Sequence, residues 1–133
     1  MKKSKQIPFG LHLMIEAYNC PPEVLNDANL AYKILDEVPE KIGMHKLIKP
    51  YVVFAEANDK RDPGGWSGFV IIQESHISLH TFIKRHFATI DVYSCKPFDT
   101  NIAINYFKKL LKTNDFEINI ETRGKKYPPE NID

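Results

Sequence analysis

Cysteine is scarce in this chain: its 133 residues include only Cys20 and Cys95. Two cysteines exclude the disulfide framework that stabilises small secreted domains, and they do not supply a zinc site built on cysteine pairs. The sequence also lacks an apolar run approaching the ~20 residues of a membrane helix, and residues 1–5 lack the apolar stretch of a signal peptide. We therefore expect a cytoplasmic protein that does not contact a membrane.

Neither sign of charge is in excess. The 18 Lys and Arg residues face 17 Asp and Glu residues, which leaves a formal net charge of +1. Binding to nucleic acid depends on a surplus of basic side chains against phosphates, so a nucleic-acid partner is not expected. A hydrophobic fraction of 43% without linkers, low-complexity tracts or repeats predicts one domain over residues 1–133.

The hydrophobic period changes several times along the chain. Alternation predicts a strand over residues 11–17, and Pro21-Pro22 opens a helix that ends at Pro39 and Gly43. Further strands are predicted over residues 51–55, 68–72, 76–82, 87–93 and 116–120, with a helix capped by Asp99 or Thr100 before the last. Residues 68–72 are apolar throughout, which is typical of a strand buried on both faces. This order predicts an α+β two-layer sandwich, with helices on one face of a mainly antiparallel sheet.

Residues 74–81 hold the densest cluster of reactive side chains. In a strand His76 and His80 lie about 13 Å apart, too far to bind one metal ion, so no metal site is expected. Ser75 and His80 have the chemistry of a nucleophile and a base, but their five-residue offset places them on opposite faces of an unbroken strand. They can act together only if the chain breaks or turns near Glu74-Ser75.

Other reactive residues have no role that spacing alone assigns. Cys95 follows a predicted strand, where a thiol can be partly exposed, and the neighbouring Lys96 would lower its pKa. Free cysteines are more often buried and inert, which applies equally to Cys20. Glu16 lies on the polar side of the first strand, where a carboxylate is most simply solvated or hydrogen-bonded.

An ordered set of motifs resembles the prokaryotic S-adenosylmethionine decarboxylases. Residues 66–82 read WSGFVIIQESHISLHTF, with Ser-Gly, then Glu-Ser-His, then a histidine five residues after that serine. Residues 90–95 read IDVYSC, and residues 12–20 read HLMIEAYNC, which matches the first strand of the family. The resemblance spans roughly residues 9–112, and its motifs are specific as a set.

This resemblance implies a proenzyme that makes its own cofactor. The chain would cut itself between Glu74 and Ser75 into residues 1–74 and 75–133. Ser75 would attack the carbonyl of Glu74, Ser67 would help to hold the tetrahedral intermediate, and His80 would remove the α-proton of Ser75. Residue 75 would become a pyruvoyl group, so neither a metal nor pyridoxal phosphate is expected.

The implied activity is a decarboxylation in polyamine and spermidine biosynthesis. A pyruvoyl carbonyl forms a Schiff base with the amine of a small-molecule substrate and accepts the electrons that departing CO₂ leaves behind. By resemblance the substrate is S-adenosylmethionine, Cys95 is the proton donor, and the working unit is a homodimer with active sites near its interface. Glu16, Phe54 and Lys84 are the candidate substrate-binding residues, with Phe54 the nearest aromatic for stacking on adenine.

Lys84 departs from the family pattern, because it stands where a glutamate binds the ribose hydroxyls. An ammonium group only donates hydrogen bonds, whereas a carboxylate accepts them. An alternative is therefore the same pyruvoyl chemistry on L-ornithine or L-arginine, which have no ribose. Their distal cation needs a carboxylate, for which the candidates are Glu16, Glu56, Asp59 and Asp62.

A third alternative is a non-catalytic, prozyme-like partner that keeps the fold without the activity. The presence of all four motif residues, Ser67, Ser75, His80 and Cys95, argues against it.

Overall fold

A computed structural model of the protein describes residues 9–58, 63–128 and 130. Two of the candidate carboxylates for a basic substrate, Asp59 and Asp62, lie outside the described residues. Within the described part, no helix has the length and apolar composition needed to cross a bilayer.

Strands and helices follow one another in the predicted order, except that the first helix is divided in two. The strands are β1 (Gly10–Ala17), β2 (Tyr51–Ala55), β3 (Gly65–Ile72), β4 (Ser75–Phe82), β5 (Phe87–Ser94) and β6 (Phe116–Arg123). The helices are α1 (Pro22–Leu25), α2 (Ala28–Lys41) and α3 (Thr100–Leu111), and a 3₁₀ turn spans Ile83–Arg85.

The strands form one six-stranded antiparallel sheet in the order β2-β3-β4-β5-β1-β6. Alternate side chains of β1, β3, β4 and β5 pack with α2 and α3 into one hydrophobic core, against which Val52 of β2 and Phe116 of β6 are partly buried. The two-layer α+β sandwich predicted from the sequence is confirmed. We call the opposite side of the sheet the open face; its side chains include His12, Glu16, Tyr51, Ser67, Phe69, Ile71, His76, Ser78, His80, Asp91 and Tyr93.

The break between α1 and α2 has a local cause. The side chain of Asp27 accepts a hydrogen bond from the backbone N–H of Leu30, which makes Asp27 the N-cap of a new helix. The prediction of a single helix from Pro22 was therefore wrong at this point. Asp99 caps α3 in the same way, as expected, through the N–H groups of Asn101 and Ile102.

The prediction that residues 68–72 are buried on both faces was wrong. Val70 and Ile72 are buried in the core, whereas Phe69 is 40% exposed and Ile71 is 37% exposed on the open face. The reason is that the helices cover one side of β3 only, so its apolar alternate residues remain at the surface of the single chain. The strand also begins at Gly65, three residues before the predicted start.

Candidate active site

The proposed cleavage point lies in a tight hairpin. Ile72 of β3 pairs with Ser75 of β4, so Gln73 and Glu74 form a two-residue turn between them. Ser75 has φ = +155°. A side-chain-bearing residue in this region is strained at a cost of about 1–3 kcal/mol, because only glycine occupies it readily. The chain thus turns at Glu74-Ser75, as the sequence analysis required for joint action of Ser75 and His80, but Ser75 remains the first residue of β4.

A backbone donor contacts the carbonyl of Glu74. The N–H of Cys95, directly after β5, donates a hydrogen bond of 2.9 Å to the Glu74 oxygen. The contact follows from the register, because Ser75 pairs with Ser94 across β4 and β5. A fixed donor at this oxygen polarises the carbonyl and stabilises negative charge that develops on it.

The two cysteines lie in different surroundings. The side chain of Cys95 is exposed beside the hairpin turn. Cys20 is buried, and its desolvation raises the pKa of the thiol to about 11, which keeps it protonated and unreactive. The ammonium group of Lys96, next to Cys95, donates a 3.1 Å hydrogen bond to the carbonyl of Gly43.

Ser67 and His80 form a pair on the open face. They are direct neighbours across β3 and β4, and the Ser67 Oγ lies 2.9 Å from Nδ1 of His80. The same row across the sheet continues through Thr89 of β5 to Glu16 of β1. The side chain of Glu16 and the Ser67–His80 pair therefore face the same side, two strands apart.

The catalytic candidates form two groups at opposite ends of the sheet. Ser75, Glu74 and Cys95 lie at the hairpin end, whereas Ser67 and His80 lie five residues farther along β3 and β4. Five strand residues span about 17 Å, and Ser75 points to the helical face whereas His80 points to the open face. Within one uncleaved chain, the structure does not bring Ser75 and His80 together.

Glu16 is an unusual carboxylate in this row. Its Oε2 is buried without a hydrogen-bond partner among the described residues. Burial raises the pKa of the Glu16 carboxyl, and the negative charges of Glu117 and Asp91 raise it further. Asp91 is itself bound to His12, whose Nε2 lies 2.8 Å from its Oδ1. Sequence reasoning missed this His12–Asp91 contact, because it depends on the register of β1 against β5.

The other substrate-binding candidates lie at the His80 end of the sheet but on different elements and sides of it. Phe54 lies on the helical side of edge strand β2, where its ring meets that of Trp66 edge-on at 5.0 Å. It is therefore separated from His80 by the sheet. Lys84 is exposed in the 3₁₀ turn that joins β4 to β5, at the same end of the sheet as His80. Glu56 is exposed just after β2.

Among the residues with described positions, no three His, Cys, Asp or Glu side chains are grouped so that they could hold a metal ion. His76 and His80 lie on one face of β4, four residues apart, as the sequence predicted. The ring of His76 instead contacts that of Tyr93, with 5.7 Å between the centroids.

Comparisons with known proteins identify the family of this chain. A sequence model of the family described as S-adenosylmethionine decarboxylase matches residues 11–124. The S-adenosylmethionine decarboxylase proenzyme of Caldicellulosiruptor saccharolyticus is 35% identical over 116 residues, which cover 86% of this chain and 88% of the relative. The proenzyme of Pyrococcus horikoshii is 34% identical over 116 residues, which cover 86% of this chain and 78% of the relative.

A solved structure shares the fold. The crystal structure of the adenosylmethionine decarboxylase from Aquifex aeolicus superposes with a TM-score of 0.74, covering 88% of this chain and 92% of that one, at 24% identity. The family match extends over most of the chain and includes the hairpin, the Ser67–His80 pair and Cys95. The chain belongs to the S-adenosylmethionine decarboxylase family.

Proposed function

We propose that this protein is a pyruvoyl-dependent decarboxylase of polyamine biosynthesis, which cleaves itself at Glu74-Ser75 and acts on S-adenosylmethionine in the cytoplasm. The observation that carries the proposal is the geometry of the hairpin. The bond to be cut lies beside a strained Ser75, and its carbonyl accepts the N–H of Cys95 at 2.9 Å. The names of the bacterial and archaeal relatives, S-adenosylmethionine decarboxylase proenzyme, support the same activity.

The first step of self-processing is an N-to-O acyl shift. The Oγ of Ser75 attacks the carbonyl carbon of Glu74, a C–O bond forms, and the C–N bond between the two residues breaks. The hydroxyl proton passes to the released nitrogen, which becomes an α-amino group. The N–H of Cys95 stabilises the oxyanion of the tetrahedral intermediate, and the strain at Ser75 is relieved as the peptide bond is lost.

The second step is a β-elimination that needs a base. Removal of the Ser75 α-proton by His80 expels the carboxylate of Glu74 from Cβ and divides the chain. Hydrolysis with loss of ammonia then leaves the pyruvoyl group at residue 75. The hydroxyl of Ser67 lies 2.9 Å from Nδ1 of His80 and orients the imidazole ring. In the first step, the same hydroxyl helps to hold the tetrahedral intermediate.

A complete site on this plan needs a second chain. Ser75 and His80 are separated by about 17 Å along one sheet. The open faces of two chains can pack on each other about a two-fold axis that lies between the sheets and is perpendicular to the strands. In that arrangement the Ser67–His80 end of one sheet lies over the Ser75–Cys95 end of the other. Tyr51, 58% exposed, and Phe69, 40% exposed, are among the apolar residues that this packing buries. The working unit is therefore a homodimer with shared sites.

After processing, the chain's own residues surround the reacting centre. A pyruvoyl group, once formed at residue 75, supplies the electron sink that decarboxylation of an α-amino acid requires. The exposed thiol of Cys95, next to that residue, donates a proton to the substrate Cα. Glu16, Phe54 and Lys84 remain candidates for substrate contacts; all three lie toward the His80 end of the sheet, with Glu16 on the open face and Phe54 on the helical side.

A second candidate function is decarboxylation of L-ornithine or L-arginine by the same chemistry. It is favoured by Lys84, which cannot accept hydrogen bonds from a ribose, and by the unpartnered carboxylate oxygen of Glu16. A distal ammonium or guanidinium group that bound there would satisfy that oxygen and lower the pKa that burial has raised. Of the four candidate carboxylates, Glu16 alone is described on the open face.

Two measurements test these proposals. Intact-mass spectrometry of the purified protein should show two fragments that divide between Glu74 and Ser75, and the Ser75→Ala chain should remain whole and inactive. A wild-type chain that never divides would favour the prozyme-like partner instead. Release of CO₂ from S-adenosylmethionine, L-ornithine and L-arginine then identifies the substrate. Turnover of S-adenosylmethionine alone would rule out the amino-acid alternative.

A further inference from the structure

Residues 43–47, which connect α2 to β2, lie against the hairpin turn; we call them the clamp segment. The carbonyl of His45 accepts the N–H of Gln73 at 2.8 Å, and the N–H of His45 donates to Oε1 of Glu74 at 3.3 Å. The N–H of Leu47 donates to the carbonyl of Ile71 at 2.9 Å. The clamp segment thus pairs with the end of β3 and contacts both residues of the hairpin turn, next to the bond that is to be cut.

The clamp segment is in turn anchored to the rest of the fold. Nζ of Lys46 lies 2.5 Å from Oδ1 of Asp36 on α2, and this hydrogen bond raises the pKa of the Lys46 ammonium. The Lys46 side chain is only 27% exposed. The buried Met44 donates its N–H to the carbonyl of Pro39 at 2.8 Å. Asp36 and Pro39 both belong to α2, so the helix fixes the clamp segment.

A further hydrogen bond connects the clamp segment to the residue that follows Cys95, whose N–H binds the Glu74 carbonyl. Lys96 follows Cys95 and bonds the carbonyl of Gly43 at 3.1 Å. Glu74 is therefore held at its side-chain carboxylate and at its backbone carbonyl. The amide of His45 binds its carboxylate and the amide of Cys95 binds its carbonyl, and the two donors belong to segments that are bonded to each other.

From this arrangement we propose that the clamp segment holds Glu74 in the geometry needed for attack by Ser75, with Lys46 as a positioning residue for self-processing. This inference depends on the self-cleavage proposed above. An acyl shift between adjacent groups requires the attacking oxygen to lie close to the carbonyl carbon, and small displacements slow it strongly. Lys46 never touches the reacting atoms; it acts through the backbone of its neighbour His45.

The matched test compares two lysines of the same region. Lys46→Met keeps the apolar stem and loses the ion pair with Asp36, whereas Lys33→Met makes the same change at an exposed site on α2. A partly exposed ion pair accounts for a roughly two- to fivefold change in a rate constant. We therefore expect Lys46→Met and Asp36→Asn to divide two- to fivefold more slowly, and Lys33→Met to match the wild type.

The rate constant is measured by intact mass during a time course of cell-free synthesis. Exchanging the pair, Lys46→Asp with Asp36→Lys, should recover much of the lost rate. Each change is also made in the Ser75→Ala background, where no chain divides and the melting temperature reports the fold alone. We expect that temperature to stay within about 2 °C of its parent, since partly exposed ion pairs contribute little to stability.

Hydroxylamine identifies the step that is slowed. It attacks the ester carbonyl of Glu74, forms a hydroxamate and expels the Ser75 hydroxyl, so it divides the chain as soon as the ester exists. With hydroxylamine, Lys46→Met should remain two- to fivefold slower than the wild type, because the defect precedes the ester. Turnover per mole of pyruvoyl-bearing chain should be unchanged.

Three results would overturn the positioning role of Lys46. These are a wild-type cleavage rate in Lys46→Met, a defect that hydroxylamine removes, or a loss of melting temperature in the Ser75→Ala background that matches the loss of rate. A wild-type chain that does not divide would reject the proposed function itself, which separates the two failures.

Discussion

The backbone N–H of Cys95 donates a 2.9 Å hydrogen bond to the carbonyl oxygen of Glu74. The same residue thus has two groups beside the hairpin turn: a backbone amide bonded to the Glu74 carbonyl, and an exposed side-chain thiol. These groups serve different steps in the proposed mechanism. Substitutions that remove one and keep the other separate self-processing from decarboxylation.

Cys95→Ala keeps the amide and removes the thiol. We expect this chain to divide at close to the wild-type rate and to lose about 10²–10⁴-fold in turnover, the usual contribution of a positioned proton donor. Cleavage is followed by intact mass, and turnover by CO₂ release per cleaved chain. A Cys95→Ala chain that stays whole would show that the thiol itself takes part in processing.

Cys95→Pro removes the amide hydrogen. Ser94, which precedes it, is extended in β5, a conformation that a residue before proline adopts readily. We expect cleavage to slow by about 10²–10³-fold, as when an oxyanion-hole donor is lost. The melting temperature in the Ser75→Ala background is the control for folding. Rapid cleavage in Cys95→Pro would contradict the role of this hydrogen bond.

The φ of +155° at Ser75 makes a separate prediction about stability. Ser75→Gly and Ser75→Ala both lack the nucleophile, so both chains stay whole. Glycine relieves the backbone strain, whereas alanine retains it, and we expect Ser75→Gly to be more stable by about 1 kcal/mol after the entropic cost of glycine. Urea denaturation measures the free energy of unfolding. Equal stability, or a more stable alanine variant, would show that Ser75 is not strained.

Shared sites predict complementation between two inactive chains. Ser75→Ala lacks the residue to be modified, and His80→Ala lacks the base, so neither alone should be active. In a mixed dimer one of the two sites combines an intact Ser75 with an intact His80. Co-expression in equal amounts should give about a quarter of the wild-type activity, because half of the dimers are mixed and each has one whole site. Activity near zero would mean that each site belongs to one chain.

Much of this arrangement was predictable from local pattern, and the remainder was not. Alternation in residues 76–82 and 87–93 located β4 and β5 to within one residue, because period-two hydrophobicity is a local signal. The pairing of Ser67 with His80 depends on register between strands, which no local pattern encodes. The exposure of Phe69 was missed because an apolar run does not show whether one side of the strand or both sides are covered within the chain.

Glu16, on the open face, should make the stability of the folded chain depend on pH. Its pKa is raised in the folded chain above the ordinary value of 4.5, chiefly by burial. The folded state therefore holds the proton more tightly, and stability is lost as pH rises from about 4.5 through the folded pKa. Glu16→Gln has no such dependence. In the Ser75→Ala background we expect Glu16→Gln to melt higher than its parent at pH 7.5, with the gap shrinking toward pH 4. A gap that is constant with pH would contradict the raised pKa.

Under the proposed function, substitution of Lys84 is the most direct test of the substrate. The resemblance implies a glutamate at this position in the family, and a carboxylate can accept hydrogen bonds from both ribose hydroxyls, which an ammonium cannot. If the chain acts on S-adenosylmethionine, Lys84→Glu should lower KM for it by about tenfold, the gain from one or two hydrogen bonds to a charged acceptor. Lys84→Gln is the matched control, because it removes the charge without supplying a carboxylate, and it should give a smaller gain. The measurement is the rate of CO₂ release against substrate concentration, with L-ornithine assayed in parallel. An unchanged KM for S-adenosylmethionine in Lys84→Glu, together with turnover of L-ornithine by the wild type, would show that the substrate is the amino acid.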